Sequence, residues 1–290
     1  MRLHLVDGTY ELFRAHFSRR PPHRGPDGRD NKATLALASA MLALLHDAGE
    51  AVTHVAVAFD NPIRSFRNDL FAGYKTEEGV PAELLAQFDA AEQAVAAVGM
   101  AVWSMREFEA DDALATAAAR FGGEVEQVRI LTPDKDLGQC LQGTHVVQVD
   151  WRARSVVDED ALLRRRGVRP GSVPDLLALT GDDADGIPGL PGFGEKSASA
   201  LLARFIHLEQ IPPDPTSWPV VRQAPKLAAT LEQRREDALL YRRLATLRTD
   251  APIGPLEETR FDGVPRDRFL QLCDALGTDE LRERPTRWRP

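Results

Sequence analysis

Residues 128–136 run Val128-Arg-Ile-Leu-Thr-Pro-Asp-Lys-Asp136, a short apolar run followed by two aspartates. An apolar run of this length, rich in branched residues and followed by a turn signal, predicts a buried strand over its first four residues. Earlier in the chain, Leu3–Val6 is followed in the same way by Asp7. Thr53–Phe59 is followed by Asp60. Three predicted strands therefore end beside a carboxylate.

Helical patterns separate these strands in the first half of the chain. The predicted helices there are Glu11–Phe17, Ala33–His46, Pro81–Val98, Ala110–Phe121 and the short Lys135–Leu141, and one more strand is predicted over His145–Val149. Alternating strands and helices predict an α/β domain over residues 1–160, with a mostly parallel sheet and helices on both faces.

Strand patterns fade after about residue 158, and helical patterns continue to the end. The predicted helices are Glu159–Arg166, Val173–Leu179, Lys196–Phe205, Lys226–Leu247 and Arg266–Leu276. We therefore predict a helical subdomain over residues 161–290.

Acidic residues occur at five places that this topology brings together. The carboxyl ends of parallel strands share one edge of a sheet, where functional residues gather. The acidic residues are Asp7, Asp60, Glu109, Asp111, Asp112, Asp134, Asp136, Asp182 and Asp185. A single aspartate after a strand is more often a helix cap than a ligand. Five groups at strand or helix ends indicate metal binding instead, because nine clustered carboxylates would repel without cations among them. Oxygen ligands suit Mg²⁺ or Mn²⁺, and two such ions can clamp a phosphodiester.

A glycine-rich segment, residues 186–202, precedes the predicted helix Lys196–Phe205. Glycines allow a backbone to approach a ligand closely, and the amides at a helix start bind phosphate. The segment is neither a nucleotide P-loop nor a dinucleotide fingerprint, because Glu195 and Ser197 occupy positions that those motifs reserve for other residues. A plain helix-connecting turn is the alternative. We favour sequence-independent contact with a DNA backbone.

Composition limits the class of protein. The net charge of −8 disfavours a nucleic-acid partner, but the balance is close to neutral without the nine carboxylates. The two cysteines, Cys140 and Cys273, show no metal-like spacing, which favours a reducing, cytoplasmic compartment. No apolar run is long enough to predict a membrane span, and no signal segment is recognised.

Taken together, these motifs resemble those of the 5′ nucleases of the flap endonuclease family, especially its bacterial and phage branch and the N-terminal domain of DNA polymerase I. The matching segments are Leu5-Val-Asp-Gly, Phe59-Asp60, Ser65-Phe-Arg, Gly73-Tyr-Lys, Phe108-Glu-Ala-Asp-Asp, Leu131-Thr-Pro-Asp-Lys-Asp-Leu, Thr180-Gly-Asp-Asp-Ala-Asp-Gly-Ile-Pro-Gly and Gly192-Phe-Gly-Glu-Lys. They follow the family's order over roughly residues 1–280.

The resemblance implies a role for each motif. All nine carboxylates would serve two divalent cations, some directly and some through water. A helical arch would lie near residues 64–80, with Arg67 and Lys75 at the reacting phosphate and Tyr74 stacked on a base. The glycine-rich segment 186–202, called the glycine hairpin below, would belong to a helix–three-turn–helix unit that grips duplex DNA and also binds K⁺. The DNA-contacting residues would be Arg14, Tyr74, Gly189, Gly192, Gly194, Lys196 and Ser197.

The predicted function is therefore a 5′-3′ exonuclease and structure-specific 5′ flap endonuclease of DNA replication or repair. We expect a monomer that acts on 5′ ends, flaps or nicks, with a separate DNA polymerase as a partner. One departure concerns the arch, where Thr76-Glu-Glu-Gly replaces a basic residue of many relatives, which weakens the case for tight capture of a single strand there. Two alternatives remain open: a PIN-like RNase, which is usually shorter and lacks the glycine hairpin, and a module that binds DNA junctions without cutting them.

Overall fold

The protein is built around a six-stranded sheet, in a computed structural model that describes residues 1–289. The strands are β1 (Arg2–Asp7), β2 (His54–Asp60), β3 (Ala101–Met105), β4 (Gln127–Leu131), β5 (Val146–Asp150) and β6 (Ser155–Val157). Their order across the sheet is β3-β2-β1-β4-β5-β6. All neighbours are parallel except β5 and β6. The predicted α/β class with a mostly parallel sheet is confirmed.

Twelve α-helices complete the described part of the chain. They are α1 (Gly8–His16), α2 (Lys32–His46), α3 (Arg67–Leu70), α4 (Ala82–Leu85), α5 (Phe88–Val98), α6 (Ala110–Phe121), α7 (Glu159–Arg166), α8 (Val173–Thr180), α9 (Glu195–Phe205), α10 (Ala224–Gln233), α11 (Arg235–Ala245) and α12 (Arg266–Leu276). A 3₁₀ helix spans Lys135–Cys140, and a two-residue pair joins β7 (Val264–Pro265) to β8 (Trp288–Arg289). None of the described helices is long and apolar enough to cross a membrane.

The strand order reverses beside β1. From β1 the chain runs outward through β2 to β3, and then returns through α6 to β4 on the other side of β1. At such a switch point, the loops that leave two neighbouring strands diverge and open a crevice at their carboxyl ends. The crevice therefore opens where Asp7 ends β1 and where the segment after β4 begins.

Helices cover both faces of the sheet. On one face α2 and α5 bury residues such as Leu37, Met41 and Val95. On the other face α6 packs Ala113, Leu114 and Ala117 against the strands, and its small side chains allow close approach. The helical half has a separate core that is formed largely by α8 to α11.

The predicted helical subdomain of residues 161–290 needs a correction at its end. Residues from Ala251 onward leave the helical half and pack on the α/β half. Phe269, Cys273 and Leu276 of α12 join the core of α2 and α5. The sequence pattern shows only that α12 has an apolar face, and it does not show which core receives that face.

Two long predicted helices are broken in the structure. The prediction Pro81–Val98 becomes α4 and α5, because the backbone turns at Gln87, whose amide donates to Leu84 O at 2.9 Å instead of to the carbonyl one residue earlier. The side-chain carbonyl of Gln87 accepts the amides of Ala33 and Thr34 at 3.1 Å. The prediction Lys226–Leu247 becomes α10 and α11, because Arg234 adopts a non-helical ψ of 28°. The edge strand β3 was not predicted, since it is half-buried and shows no clear alternation.

The expected arch also differs from its prediction. Within residues 64–80 the α-helical residues are the four of α3. The backbone amide of Lys75 donates to Asp185 O at 3.0 Å instead of continuing a helix. The side-chain amide of Asn68 donates to Lys75 O at 2.8 Å, which closes the segment into a compact turn. Residues 68–75 therefore fold back against the loop that contains Asp185.

Candidate metal centre

Three strands of the sheet deliver a carboxylate to the crevice. Asp7 accepts the amide of Tyr10 at 2.8 Å, which caps α1, and the hydroxyl of Thr132 at 3.0 Å. Asp60 accepts the amide of Ala110, the first residue of α6, at 2.7 Å. Asp134 follows β4 and accepts the amide of Asp136 at 2.9 Å. Each carboxylate is thus oriented by a helix start or turn, as the position of Asp after a strand predicts.

The loop between α8 and α9 brings two more carboxylates to this edge. One oxygen each of Asp136, Asp182 and Asp185 lies within 4.8 Å of the others. The loop can approach because Gly186 has a φ of 71° and a Cβ there would lie 2.2 Å from Gly73 O. Gly189 is as constrained, since its Cβ would lie 2.4 Å from Gly181 N. These two glycines close the loop onto the site.

Eight of the nine predicted carboxylates lie close enough to influence each other's charge. Burial, with the charges of Asp60 and Asp134, raises the pKa of Asp7 to about 7. Burial raises the pKa of Asp60 to about 6, against the attraction of Lys75. Burial and neighbouring carboxylates also raise the pKa values of Asp111, Asp136 and Asp185.

Glu109 contrasts with these groups. Burial raises its pKa, but Lys75 and Arg67 outweigh burial and hold the pKa below its usual value. The hydroxyl of Ser65 donates to Glu109 Oε1 at 2.5 Å. Lys75 Nζ lies 3.0 Å from Glu109 Oε2 and 2.9 Å from Asp185 Oδ1. Lys75 therefore lies inside the carboxylate cluster.

Three residues lie elsewhere than the predicted site requires. Arg67 is 1% exposed and both its terminal nitrogens bind Asp112, at 2.7 and 2.8 Å, so it cannot reach a phosphate in the crevice. Asp112, the partner of Arg67 in this ion pair, is fully buried. Tyr74 is 3% exposed and donates to Glu109 at 3.2 Å, so its ring packs in the core of the helical half and is not free to stack on a base.

The glycine hairpin divides into a closed part and an open part. Gly189 is buried, whereas Gly192, Gly194 and Lys196 are exposed at the start of α9. A Cβ on Gly194 would meet nothing within 4 Å. The hydroxyl of Ser197 accepts the amide of Gly194 at 3.1 Å, which orders the first turn. The open part presents backbone amides and a lysine ammonium to solvent.

Arg14 lies on α1, beside the segment that follows β4. Its guanidinium donates to the buried Glu11 at 2.8 Å, and Arg152 binds the same carboxylate at 2.6 and 2.7 Å. Both arginines line a cavity of about 360 Å³ beside Tyr10. Arg152 was missed by sequence reasoning, because no motif marks a basic residue in the turn between two strands. Lys135, whose Nζ lies 2.8 Å from Asp182, was likewise not assigned a role.

The donor set fits hard divalent cations. The converging side chains offer carboxylate oxygens, and the described site contains no histidine or thiolate ligand among them. Bound cations would also relieve the mutual repulsion that, together with the larger effect of burial, raises these pKa values.

Comparison with known proteins gives the site a family context. Residues 2–167 match the model of the 5′-3′ exonuclease N-terminal resolvase-like domain, and residues 168–267 match the 5′-3′ exonuclease C-terminal SAM fold. DNA polymerase I of Bacillus caldotenax is 33% identical over 98% of the chain, and that of Pseudomonas aeruginosa is 34% identical over 94%. The chain spans about a third of the length of these relatives.

Solved structures share the fold. The T5 5′-exonuclease with bound zinc aligns with a TM-score of 0.65 and 18% identity, over 98% of this chain and 96% of that one. The T5 D15 flap endonuclease in complex with DNA and metal ions gives 0.63 at 18%, over 98% and 96%. The catalytic core of Rad2 with a DNA substrate gives 0.61 at 16%, over 97% and 89%.

Proposed function

Because the chain belongs to the 5′-3′ exonuclease family, we propose that it hydrolyses DNA phosphodiesters near 5′ ends, as a 5′-3′ exonuclease and 5′ flap endonuclease. The observation that carries the proposal is the convergence of eight carboxylates, from five separate segments, at the switch point of the sheet. The two alternatives, a PIN-like RNase and a non-cleaving junction module, gain no support from the comparisons.

We assign two groups of ligands within the cluster. Asp136, Asp182 and Asp185 would hold one divalent cation. Asp7, Asp60, Asp111 and Asp134 would hold the second, directly or through water, with Glu109 between the groups. Bound Mg²⁺ or Mn²⁺ would neutralise phosphate charge and make a bound water more acidic.

The chain itself contributes positive charge and rigidity to this site. Lys75 carries an ammonium between Glu109 and Asp185, and that position suits contact with a non-bridging oxygen of the reacting phosphate. Ser65 and Thr132 fix Glu109 and Asp7 by hydroxyl donation, so the carboxylates need little rearrangement when they bind a cation.

Duplex DNA is proposed to bind along the open part of the glycine hairpin. Gly192, Gly194 and Lys196 are exposed at or just before the start of α9, half-buried Ser197 orders its first turn, and helix-start amides suit phosphates. K⁺ at backbone carbonyls of the hairpin belongs to the same proposal. Arg14, held by Glu11, would contact the strand that enters the crevice.

A separate DNA polymerase is the proposed partner, since flap removal leaves a nick or gap for such an enzyme. The matched relatives carry this region within DNA polymerase I. A monomer is sufficient for the reaction, because the carboxylates that form the site all come from one chain.

The decisive experiment incubates the protein with 5′-labelled flap, nicked and blunt duplexes, and with matched RNA flaps, in Mg²⁺, Mn²⁺ or EDTA. We expect metal-dependent DNA products that are released from the 5′ end. An Asp134→Asn preparation serves as the control for contaminating nuclease. Preferential RNA cleavage would favour the PIN-like alternative, and tight flap binding without cleavage would favour the junction module.

A further inference from the structure

Arg67 is a fully buried arginine at a joint of three segments. It is the first residue of α3, and it binds the side chain of Asp112 on α6 through two nitrogens. Its Nε donates to Leu244 O at 2.7 Å, and its second terminal nitrogen donates to Thr246 O at 3.1 Å. The α3 segment, the start of α6 and the end of α11 are therefore held by one guanidinium.

The surroundings of Asp112 satisfy its carboxylate completely. Besides Arg67, its oxygens accept the backbone amide of Glu109 at 3.0 Å and that of Arg248 at 2.8 Å. A carboxylate that receives two backbone amides and a bidentate arginine has no free lone pair for another partner. The neighbouring Asp111 instead senses the charges of Asp134 and Asp7 across the crevice.

Glu109 lies at the edge of this arrangement. Its Oε1 is 3.4 Å from the guanidinium of Arg67, and its backbone amide is held by Asp112. While Asp112 is charged, it takes the two strongest bonds of Arg67. Without that charge, the buried guanidinium would interact more strongly with Glu109. Arg67 would then compete with a cation for the Glu109 carboxylate.

We propose that Asp112 neutralises Arg67 and so keeps the buried guanidinium from competing with a cation for Glu109, and that Asp112 serves the site in this way rather than by ligating a metal. The inference rests on the proposed metal site, because Glu109 has a role only if cations bind there. Partners that orient metal ligands change metal affinity although they do not touch the ion.

A double-mutant cycle separates the two roles of Asp112. Asp112→Asn keeps the shape but leaves Arg67 unneutralised, and should weaken Mn²⁺ binding by about 10- to 100-fold. Adding Arg67→Gln removes the unneutralised charge, so the double variant should bind Mn²⁺ within about threefold of the wild type. If Asp112 were a ligand, the double variant would remain as weak as Asp112→Asn.

The readout is calorimetric titration of MnCl₂ into the full chain after EDTA treatment and dialysis, with circular dichroism as a check of folding. Asp134→Asn with and without Arg67→Gln is the matched control, because removing Arg67 should not restore the site when a direct ligand is lost. If Asp112→Asn does not fold, the double variant is compared with the wild type alone, and weak binding by it overturns the inference.

The two proposals fail in different ways. Failure of the wild type to bind Mn²⁺ would overturn the proposed function. Normal binding by the wild type with no recovery in the double variant would overturn only the proposal that Asp112 acts by neutralising Arg67. Unchanged affinity in Asp112→Asn would also overturn it.

Discussion

The buried carboxylate of Glu50, which packs against β1 and β4, and the carboxylates at the carboxyl edge of the sheet have opposite electrostatic settings. Glu50 is 7% exposed in its side chain and is bound by Arg129, at 2.7 and 3.0 Å, and by His4 at 3.1 Å. Burial alone would raise the pKa of Glu50, but these partners outweigh burial and lower that pKa to about 2. At the carboxyl edge, burial and like charge raise the pKa of Asp7 to about 7. The chain supplies its own counter-charge to Glu50, and leaves most of the charge at the other edge to be balanced by ions from solution.

The first prediction, with the largest expected effect, concerns the carboxylates at the carboxyl edge of the sheet. Asp182→Asn should lower turnover on flap DNA by about 100-fold or more, because it removes a charge that would stabilise a bound cation in the transition state. Its melting temperature should stay equal or rise, since the change also removes repulsion. Single-turnover assays and thermal melts measure both quantities.

Asp183→Asn is the matched control for this change. Asp183 is the next residue, it is exposed, and it lies outside the carboxylate group. A similar loss of rate in both variants would show that the loop, rather than the Asp182 charge, is responsible.

The second prediction tests the balanced group. Arg129→Gln should lower the free energy of unfolding by about 2 to 4 kcal/mol, because it leaves Glu50 buried without its main partner. Mn²⁺ affinity should not change. Urea unfolding gives the loss of stability, and Glu126→Gln is the control, since Glu126 pairs with the N-terminus in solvent and its replacement should scarcely change stability. An equal loss of unfolding free energy in Glu126→Gln would show that the burial of Glu50 is not the cause of the effect of Arg129→Gln.

The third prediction concerns acid. The pKa of Glu50 is lowered in the folded state, so its contribution to stability is complete above the unfolded pKa and is lost as pH falls toward about 2. The difference in unfolding free energy between the wild type and Glu50→Gln should therefore be constant near pH 7 and shrink below about pH 4.5. Urea midpoints from pH 7 to pH 3 measure this difference, and a difference that grows on acidification would contradict the assigned role.

The smallest expected effect separates catalysis from DNA binding. Lys196→Ala should lower the salt dependence of duplex affinity by about one unit of slope, because one phosphate contact is lost. Lys75→Ala should mainly lower the single-turnover rate, since Lys75 lies between Glu109 and Asp185. Affinity titrations in salt, beside rates for the same proteins, compare the two. An unchanged slope in Lys196→Ala with a changed slope in Lys75→Ala would reverse the assignment.

The parts of the site that could be predicted are those fixed by local patterns. An apolar run followed by aspartate places Asp7, Asp60 and Asp134 at one edge once the sheet is parallel. The start of α6 at Ala110 and its end at Phe121 also follow from the sequence, because the acidic residues and the apolar period mark both ends.

The parts that could not be predicted depend on partners far along the chain. Arg67 and Asp112 are 45 residues apart, and the sequence offers no sign that this arginine chooses that carboxylate. The aromatic ring of Tyr74 is of a kind that stacks on bases, but packing in the core of the helical half buries this ring. The roles of Gly186 and Gly189 depend on backbone atoms that leave no room for a Cβ atom, and only the folded loop brings those atoms so close.

The return of the chain from Ala251 onward makes the helical half an insertion within the α/β half. The chain crosses into that half near residue 158 and crosses back near residue 248, so two covalent links join the halves. A body attached at two points can turn only about the line between them, whereas a body on a single linker can swivel in all directions. In the proposed binding mode, duplex DNA held by α9 would therefore change its angle to the carboxylate edge only by rotation about that line. The protein would then restrict the distance between the bound duplex and the bond that is cleaved.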